Sequence, residues 1–473
     1  MEALRWGLPI EEIKNLGSRF FEFCEPYRVS MMTKTHDTSD YGIKYVSGLL
    51  RMNTGRTIVN ISHKTEVDSQ RMHHFISNSP WSGPQLIQRI QEDIRLHPEW
   101  QNGAMLLLDE SADEKAGDAS PGAGRQYNGR LGKVEMSQVG VFLTLATPRA
   151  NVWVDGELFI PEHWFKKEHA DKRKQAGIPP ERIFQTKPEL GYCLIQRAID
   201  SGLEFDAVAM DDLYGRNRQL CRRLDEANIE YYGDVPVDTT VYLDKPTIKY
   251  RRKKNGQPAK KYEVIGTAYQ VRDLLHHQQL EKATLTLRPN ERGMLRATFS
   301  RCRVWIVDGG HCRELWLLIR QDNQRVTYTL SNAAPETSLK KMAWRKSHRY
   351  FIERSNQDSK GELGWDEFQA TKYRAWEHQL ALTIMASWFI ADTRLDWMHR
   401  YQHDPELLAH YETDVLPLLS VGNVRELLQA AMPLPQLTSE QAVQLVINKL
   451  INRTRSRNSR LRKYREDTRV PET

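Results

Sequence analysis

The period of the hydrophobic positions changes along this chain, and each change predicts a different kind of element. Up to about residue 100 the apolar residues recur at helical spacing, most clearly over 10–23 and 84–96, with shorter stretches at 41–50 and 68–76. Short amphipathic helices with tight connections are expected there. From Ala104 short apolar runs take over. They predict strands at 104–109, 137–146 and 151–160, a helix from about 188 to 201, a strand at 205–210, a helix near 216–227 and a strand at 229–235. Alternation of apolar and polar residues follows between about 238 and 335, as in Arg303-Val304-Trp305-Ile306-Val307-Asp308, which turns at Gly309-Gly310 and resumes in Glu314-Leu315-Trp316-Leu317-Leu318-Ile319. These are β-hairpin signals. Beyond them no Gly or Pro interrupts 349–360, so a helix is expected, and the tryptophan-bearing stretch 373–397 reads as a long helix packed against the sheet.

The chain thereby divides into a helical region at 1–100, expected to be the DNA-binding domain, an α/β core at 101–237, a β-rich insertion at 238–340, a return to the core at 341–400, and a helical C-terminal region with a basic tail at 401–473. A length of 473 residues is beyond what one hydrophobic core usually serves. The tail between 452 and 469 carries Arg453, Arg455, Arg457, Arg460, Arg462, Lys463, Arg465 and Arg469 with almost no apolar residues. It is expected to be disordered alone and drawn to phosphates.

Charge adds a partner class. The chain has 68 Lys and Arg against 61 Asp and Glu, a formal charge of +7, which favours a polyanion. Its five cysteines are scattered and odd in number, without metal-ligand pairing, and read as reduced thiols. The first residues lack a basic start followed by an apolar run, and the longest apolar stretch, 380–391, is too short to span a bilayer. A cytoplasmic protein with no membrane partner is expected.

Three acids are the candidate chemistry. Asp109 closes Met105-Leu106-Leu107-Leu108 and Asp211 closes Ala207-Val208-Ala209-Met210, so both are expected at strand ends, where open α/β sheets bind ligands. Glu353 falls on the helix predicted at 349–360, and at 3.6 residues per turn Lys346, Arg349, Glu353, Gln357 and Lys360 share one face. Taken singly, an acid at a strand end is most often a cap. Asp212 adjoins Asp211, and successive residues point to opposite sides, so the register decides which of them faces the site. In the N-terminal region Arg51, Arg56, Lys64 and Arg71 could meet phosphates if the helices form a helix-turn-helix reader; a plain helical bundle fits the same pattern. His73 and His74 read as helix surface or core rather than metal ligands.

The order and spacing of several blocks raise all three acids together. Leu108-Asp109-Glu110-Ser111 is followed by Arg125-Gln126-Tyr127-Asn128, Gln138-Val139-Gly140-Val141, Trp153-Val154-Asp155-Gly156, Asp211-Asp212-Leu213-Tyr214-Gly215, and then Ile352-Glu353-Arg354 through Lys360-Gly361-Glu362. In these blocks the chain resembles the DDE transposases of bacterial insertion sequences, specifically the insertion sequence 701 group within the insertion sequence 4 type, from about residue 20 to about 397. That broader type carries a Tyr-x2-Arg-x3-Glu-x6-Lys signature, onto which Arg349, Glu353 and Lys360 map; Lys346 stands at the aromatic position.

The resemblance implies a ribonuclease H-like catalytic core interrupted by an all-β insertion. It implies that Asp109, Asp211 and Glu353 hold two Mg²⁺ ions, for which Mn²⁺ substitutes, and alignment through Tyr214-Gly215 favours Asp211 over Asp212. The implied partner is double-stranded DNA, transposon ends and target, bound by a dimer on paired ends. The implied reaction is hydrolysis at those ends, followed by attack of the freed 3′-hydroxyl on target DNA. Arg349, Lys360 and Lys346 would meet DNA near Glu353; Arg251, Arg252, Lys253 and Lys254 would form a basic loop in the insertion; Arg455, Arg457 and Arg460 would add contacts from the tail. Two other readings stay open: a silent or domesticated relative that binds DNA without rearranging it, and a nuclease without strand transfer.

Overall fold

In the computed structural model the described residues are 9–129, 131–252, 258–278, 280–290, 293–322, 325–411 and 419–435, with scattered positions between 440 and 462. Met1–Met432 forms one compact unit and Pro433–Thr473 a second.

The first unit begins with helices α1 (Ile10–Lys14), α2 (Leu16–Cys24), α3 (Ser39–Arg51), α4 (Ile58–Lys64), α5 (Ser69–Ser77) and α6 (Gly83–Leu96). Their starts are set by capping side chains. Thr57, Asp68 and Ser82 each accept a hydrogen bond from a backbone N–H in the first turn of α4, α5 and α6.

A sheet follows, built from β1 (Met105–Glu114), β2 (Gly124–Asn128), β3 (Lys133–Ala146) and β4 (Asn151–Phe159). After α7 (Ala170–Ala176) and α8 (Lys187–Asp200) come β5 (Ala207–Met210), the single turn α9 (Asp212–Gly215), α10 (Arg218–Glu226) and β6 (Tyr231–Val235). β1 is the hinge of the topology: it runs antiparallel to β3 along its whole length and parallel to β5 only from Met105 to Leu108, and β5 in turn lies parallel to β6. Met105 to Leu108 are wholly buried, which is why this strand reads as a continuous apolar run rather than an alternation. Asp109 is therefore not at the end of its strand, as the sequence suggests; it lies within β1, at the first residue beyond the parallel pairing with β5.

Among the described residues between 238 and 338 the elements are strands apart from one short 3-10 turn: β7 (Thr240–Tyr242), β8 (Thr247–Arg252), β9 (Pro258–Ile265), β10 (Ala268–Gln270), β11 (Glu281–Asn290), β12 (Gly293–Asp308), β13 (His311–Gln321) and β14 (Val326–Ser331). The expected turn at Gly309-Gly310 joins β12 to β13, with both glycines at positive φ, as a two-residue hairpin loop needs. β14 pairs antiparallel with β6, so most of these strands continue the core sheet, which has 12 strands among the described residues, and β8 and β9 form a separate two-stranded ribbon.

Helices α11 (Leu339–Ser347), α12 (Tyr350–Gly361), α13 (Tyr373–Tyr401), α14 (Pro405–Tyr411) and α15 (Val421–Ala431) complete the unit. Met342 and Ala343 of α11 and Ile352 of α12 pack with Met105, Leu107, Ala207 and Ala209, so these helices cover one face of the central strands. Lys346 and Glu353 do not share a helix as the spacing suggests. The chain steps between α11 and α12 through three-residue hydrogen bonds, Arg349 N–H to Lys346 O and Phe351 N–H to His348 O, and Lys346 stays on α11. α13 carries Trp376, Trp388 and Trp397, all buried, as expected of core residues. Among the described residues no helix is long and apolar enough to cross a membrane.

In the second unit the described residues of the tail, Thr454, Arg455, Arg457, Asn458, Ser459, Leu461 and Arg462, are helical and exposed. The expectation of a tail without structure is corrected at these positions; Arg460 lies outside the described residues.

Candidate active site

Asp109 and Asp211 meet because β1 and β5 are parallel neighbours in register, with Leu108 beside Met210. Residues two apart share a face, so both aspartates project on the side that α12 covers. Asp211 is held in place by its own turn: it caps α9, its Oδ1 accepting from the N–H groups of Leu213 at 3.0 Å and Tyr214 at 3.4 Å. That turn lies hard against β6, and a Cβ on Gly215 would fall 2.1 Å from the carbonyl oxygen of Asp234, so only glycine fits there. Asp212 points into solvent.

Glu110 joins them. Carboxylate oxygens of Asp109, Glu110 and Asp211 lie within 4.8 Å of one another, a grouping able to hold a metal ion. Glu110 Oε1 takes a 3.0 Å ion pair from Lys187 at the start of α8, and the buried Tyr214 hydroxyl lies beside the same carboxylate.

Glu353 stands apart from this group. Its side chain is 55% exposed and is linked to the buried acids through Arg349. The Arg349 guanidinium lies 2.9 Å from Glu353 Oε1, 3.4 Å from Asp234 Oδ2 and 3.9 Å from Asp109 Oδ2. Asp234, on β6, also receives the Lys346 ammonium and the Thr329 hydroxyl. At the far end of α12, Lys360 donates to Ala112 O at 2.8 Å and pairs with Asp113 at 3.0 Å, so the helix is pinned to β1 at both ends.

Electrostatics follow from this crowding. Burial raises the Asp109 carboxyl well above the usual range, the negative charge of Asp211 adds to it, and Arg349 opposes. Asp211 is pushed up to about 6, by burial first and then by Glu110, again against Arg349. Burial also acts to raise Asp234, but Lys346 and Arg349 together outweigh it and hold that carboxyl below its ordinary value. Two buried acids that resist ionisation, with the Glu110 carboxylate within 4.8 Å of them, form a hard-oxygen donor set of the kind that takes a divalent cation.

A family model described as the DDE superfamily endonuclease matches residues 33–313. This chain belongs to that family. The match takes in Asp109, Glu110 and Asp211 and stops short of Glu353. The DDE endonuclease is also similar to a protein of Microchaete diplosiphon named as the probable transposase for insertion sequence element IS701: 24% identical over 363 residues, covering 74% of this chain and 82% of that relative.

Other residues expected at DNA are placed variously in this DDE endonuclease. Lys346 is 6% exposed and closed in its pair with Asp234, so the structure gives it a core partner and no free face. Arg56 is wholly buried and bonded to Glu367, whereas Arg71 is exposed. Arg251 and Arg252 end β8; Lys253 and Lys254 lie outside the described residues. Sequence reasoning passed over Glu110, Asp234 and Lys187. The signal for Asp234 was present: it sits near the end of an apolar run, Tyr231-Tyr232-Gly233, as Asp211 does. Glu110 was masked by alternation, which would send its side chain to the face opposite Asp109, whereas the structure brings its carboxylate within 4.8 Å of both aspartates.

Proposed function

We propose that this DDE endonuclease is a transposase of a bacterial insertion sequence. It would bind the element's ends as a dimer in the cytoplasm, cleave phosphodiester bonds there and join the 3′-hydroxyl ends to target DNA. The observation that carries this reading is the convergence of Asp109 and Asp211 under the Arg349–Glu353 arm of α12, in a chain similar to a named transposase over most of its length. The core strand order, with β3 antiparallel to β1 and β1, β5 and β6 parallel, supports a ribonuclease H-like frame.

In this reading Asp109, Asp211 and Glu353 hold two Mg²⁺ ions, or Mn²⁺, and Glu110 is placed to share in their coordination. Bound ions supply Lewis acidity for both the attacking and the leaving oxygen of an in-line displacement. The protein's own residues orient the substrate. Arg349, anchored by Asp234, presents a guanidinium suited to a phosphate oxygen beside the acids. Lys360 fixes the helix that carries Glu353. Phosphodiester hydrolysis by this route leaves a 3′-hydroxyl and needs no covalent protein intermediate.

The test is joining. Purified protein given a pre-cut element end with a free 3′-hydroxyl, a target plasmid and Mg²⁺ should produce joined product. Cleavage of intact ends without any joining would instead make it a nuclease.

A further inference from the structure

The acids are approached from the other face of the sheet as well. Alternation along β1 turns Leu107 and Asp109 toward α12 and Leu108 toward α8. α8 lies hard against that second face: a Cβ on Gly191 would fall 2.6 Å from Leu108 Cδ2. Its start is fixed by a capping box, in which the Thr186 hydroxyl accepts from Glu189 N–H and the Glu189 carboxylate accepts from Thr186 N–H at 2.7 Å. Pro188 stiffens the same turn. Lys187, the first residue of the helix, is thereby delivered beside the site.

Lys187 stands against the usual charge preference of a helix. The N-terminus is the positive end of the macrodipole, which favours acids and disfavours a cation. Glu189 obeys that preference and Lys187 does not. What holds Lys187 is Glu110: its ammonium donates to Oε1 at 3.0 Å, with a side chain only 19% exposed. Among the described residues this is its one ion pair. Arg349, the other cation here, is divided among Asp109, Asp234 and Glu353. Lys187 therefore neutralises a single carboxylate, and that carboxylate has an oxygen within 4.8 Å of both Asp109 and Asp211. An ion held by these three acids meets a fixed positive charge at Glu110, and the two cations claim the same group.

We propose that Lys187 competes with the divalent ion for Glu110 and so limits how tightly the three acids hold that ion. Lys187 is a positioning residue in this role, acting through Glu110. The inference rests on the reading of the acids as the ion site of a transposase and identifies the residue that sets the site's affinity.

The test is Mn²⁺ titration of chelator-treated, full-length protein without DNA, with free Mn²⁺ followed by electron paramagnetic resonance. Lys187→Met should lower the Kd about tenfold or more, because a positive charge beside the ion's carboxylates is removed. Lys187→Arg keeps the charge and should stay within about twofold of wild type. In a Glu110→Gln background Lys187→Met should change the Kd by no more than about twofold, since the group in dispute is gone. Thermal unfolding checks that each variant is folded, and Lys187→Gln serves if the Met variant is not. Unchanged or weaker Mn²⁺ binding by folded Lys187→Met overturns the proposal and leaves the ion site standing. An equal gain in both backgrounds also overturns it, because the effect would not pass through Glu110. Wild-type protein that binds no Mn²⁺ removes both the proposal and the ion site.

Discussion

Arg349 bonds Glu353 at 2.9 Å, and the same guanidinium lies 3.9 Å from Asp109. One cation thus links the exposed carboxylate of α12 to the buried acids of the sheet, and lowers the carboxyls of both Asp109 and Asp211 against burial. Arg349→Ala should raise both further, so that divalent-ion binding, followed by Mn²⁺ titration, is lost at a higher pH than in wild type. An unshifted pH profile would mean that Arg349 does not set the charge of the pair.

The raised pKa of Asp211 carries a stability consequence. Its folded-state value is about 6, above the ordinary 3.8, so the folded protein binds more protons than the unfolded chain between those values. The sign is then fixed: with chelator present, this group makes folding less favourable as pH rises from about 4 to 6. Asp211→Asn, which keeps a cap for α9, should be more stable than wild type by about 1–3 kcal/mol at pH 7 and should lose that advantage at pH 4. Urea unfolding at the two pH values measures it.

Asp211→Asn should also abolish cleavage, whereas Asp212→Asn should retain most of it, since Asp212 faces solvent and Asp211 faces Asp109. The reverse result would show the sheet register at this strand end to be wrong by one residue.

Lys346 and Asp234 test whether a basic residue near the site serves the fold or the DNA. Removing Lys346 leaves the buried Asp234 with only Arg349 and the Thr329 hydroxyl, so Lys346→Met should destabilise, by less than the roughly 3–5 kcal/mol of a fully stranded buried charge. Because its ammonium is enclosed, the slope of log DNA affinity against log salt should not change. A slope reduced by about one unit would return Lys346 to the DNA contacts.

Much of this arrangement was legible from local pattern. The runs ending at Leu108 and Met210 announced the two central strands, and Gly309-Gly310 announced the β12–β13 turn, because burial and turn geometry act on neighbouring residues. What failed depended on distant partners. Arg56 looked like a phosphate contact, yet its partner Glu367 lies 311 positions away. β1 runs past Asp109 because β3 pairs with it further than β5 does. The step between α11 and α12 carries no glycine or proline, so nothing in the local sequence marked it, and the five-residue stripe on one helix was an artefact of assuming continuity.

Deleting Pro433–Thr473 should weaken binding to motif-bearing and random duplexes alike and flatten the salt dependence, since its described arginines, Arg455, Arg457 and Arg462, are exposed cations. Loss of discrimination with bulk affinity kept would assign sequence reading to this unit instead.

The most direct test of the account is Mg²⁺-dependent cleavage of element-end DNA by Glu353→Gln beside Glu110→Gln. The structure places Glu110 with the two aspartates and Glu353 one ion pair away. If Glu353 is the third catalytic acid, Glu353→Gln should show no cleavage above the chelator control while binding the same DNA as wild type, and Glu110→Gln should keep measurable activity. Near-normal cleavage by Glu353→Gln together with none by Glu110→Gln would contradict the account and put the third carboxylate on β1.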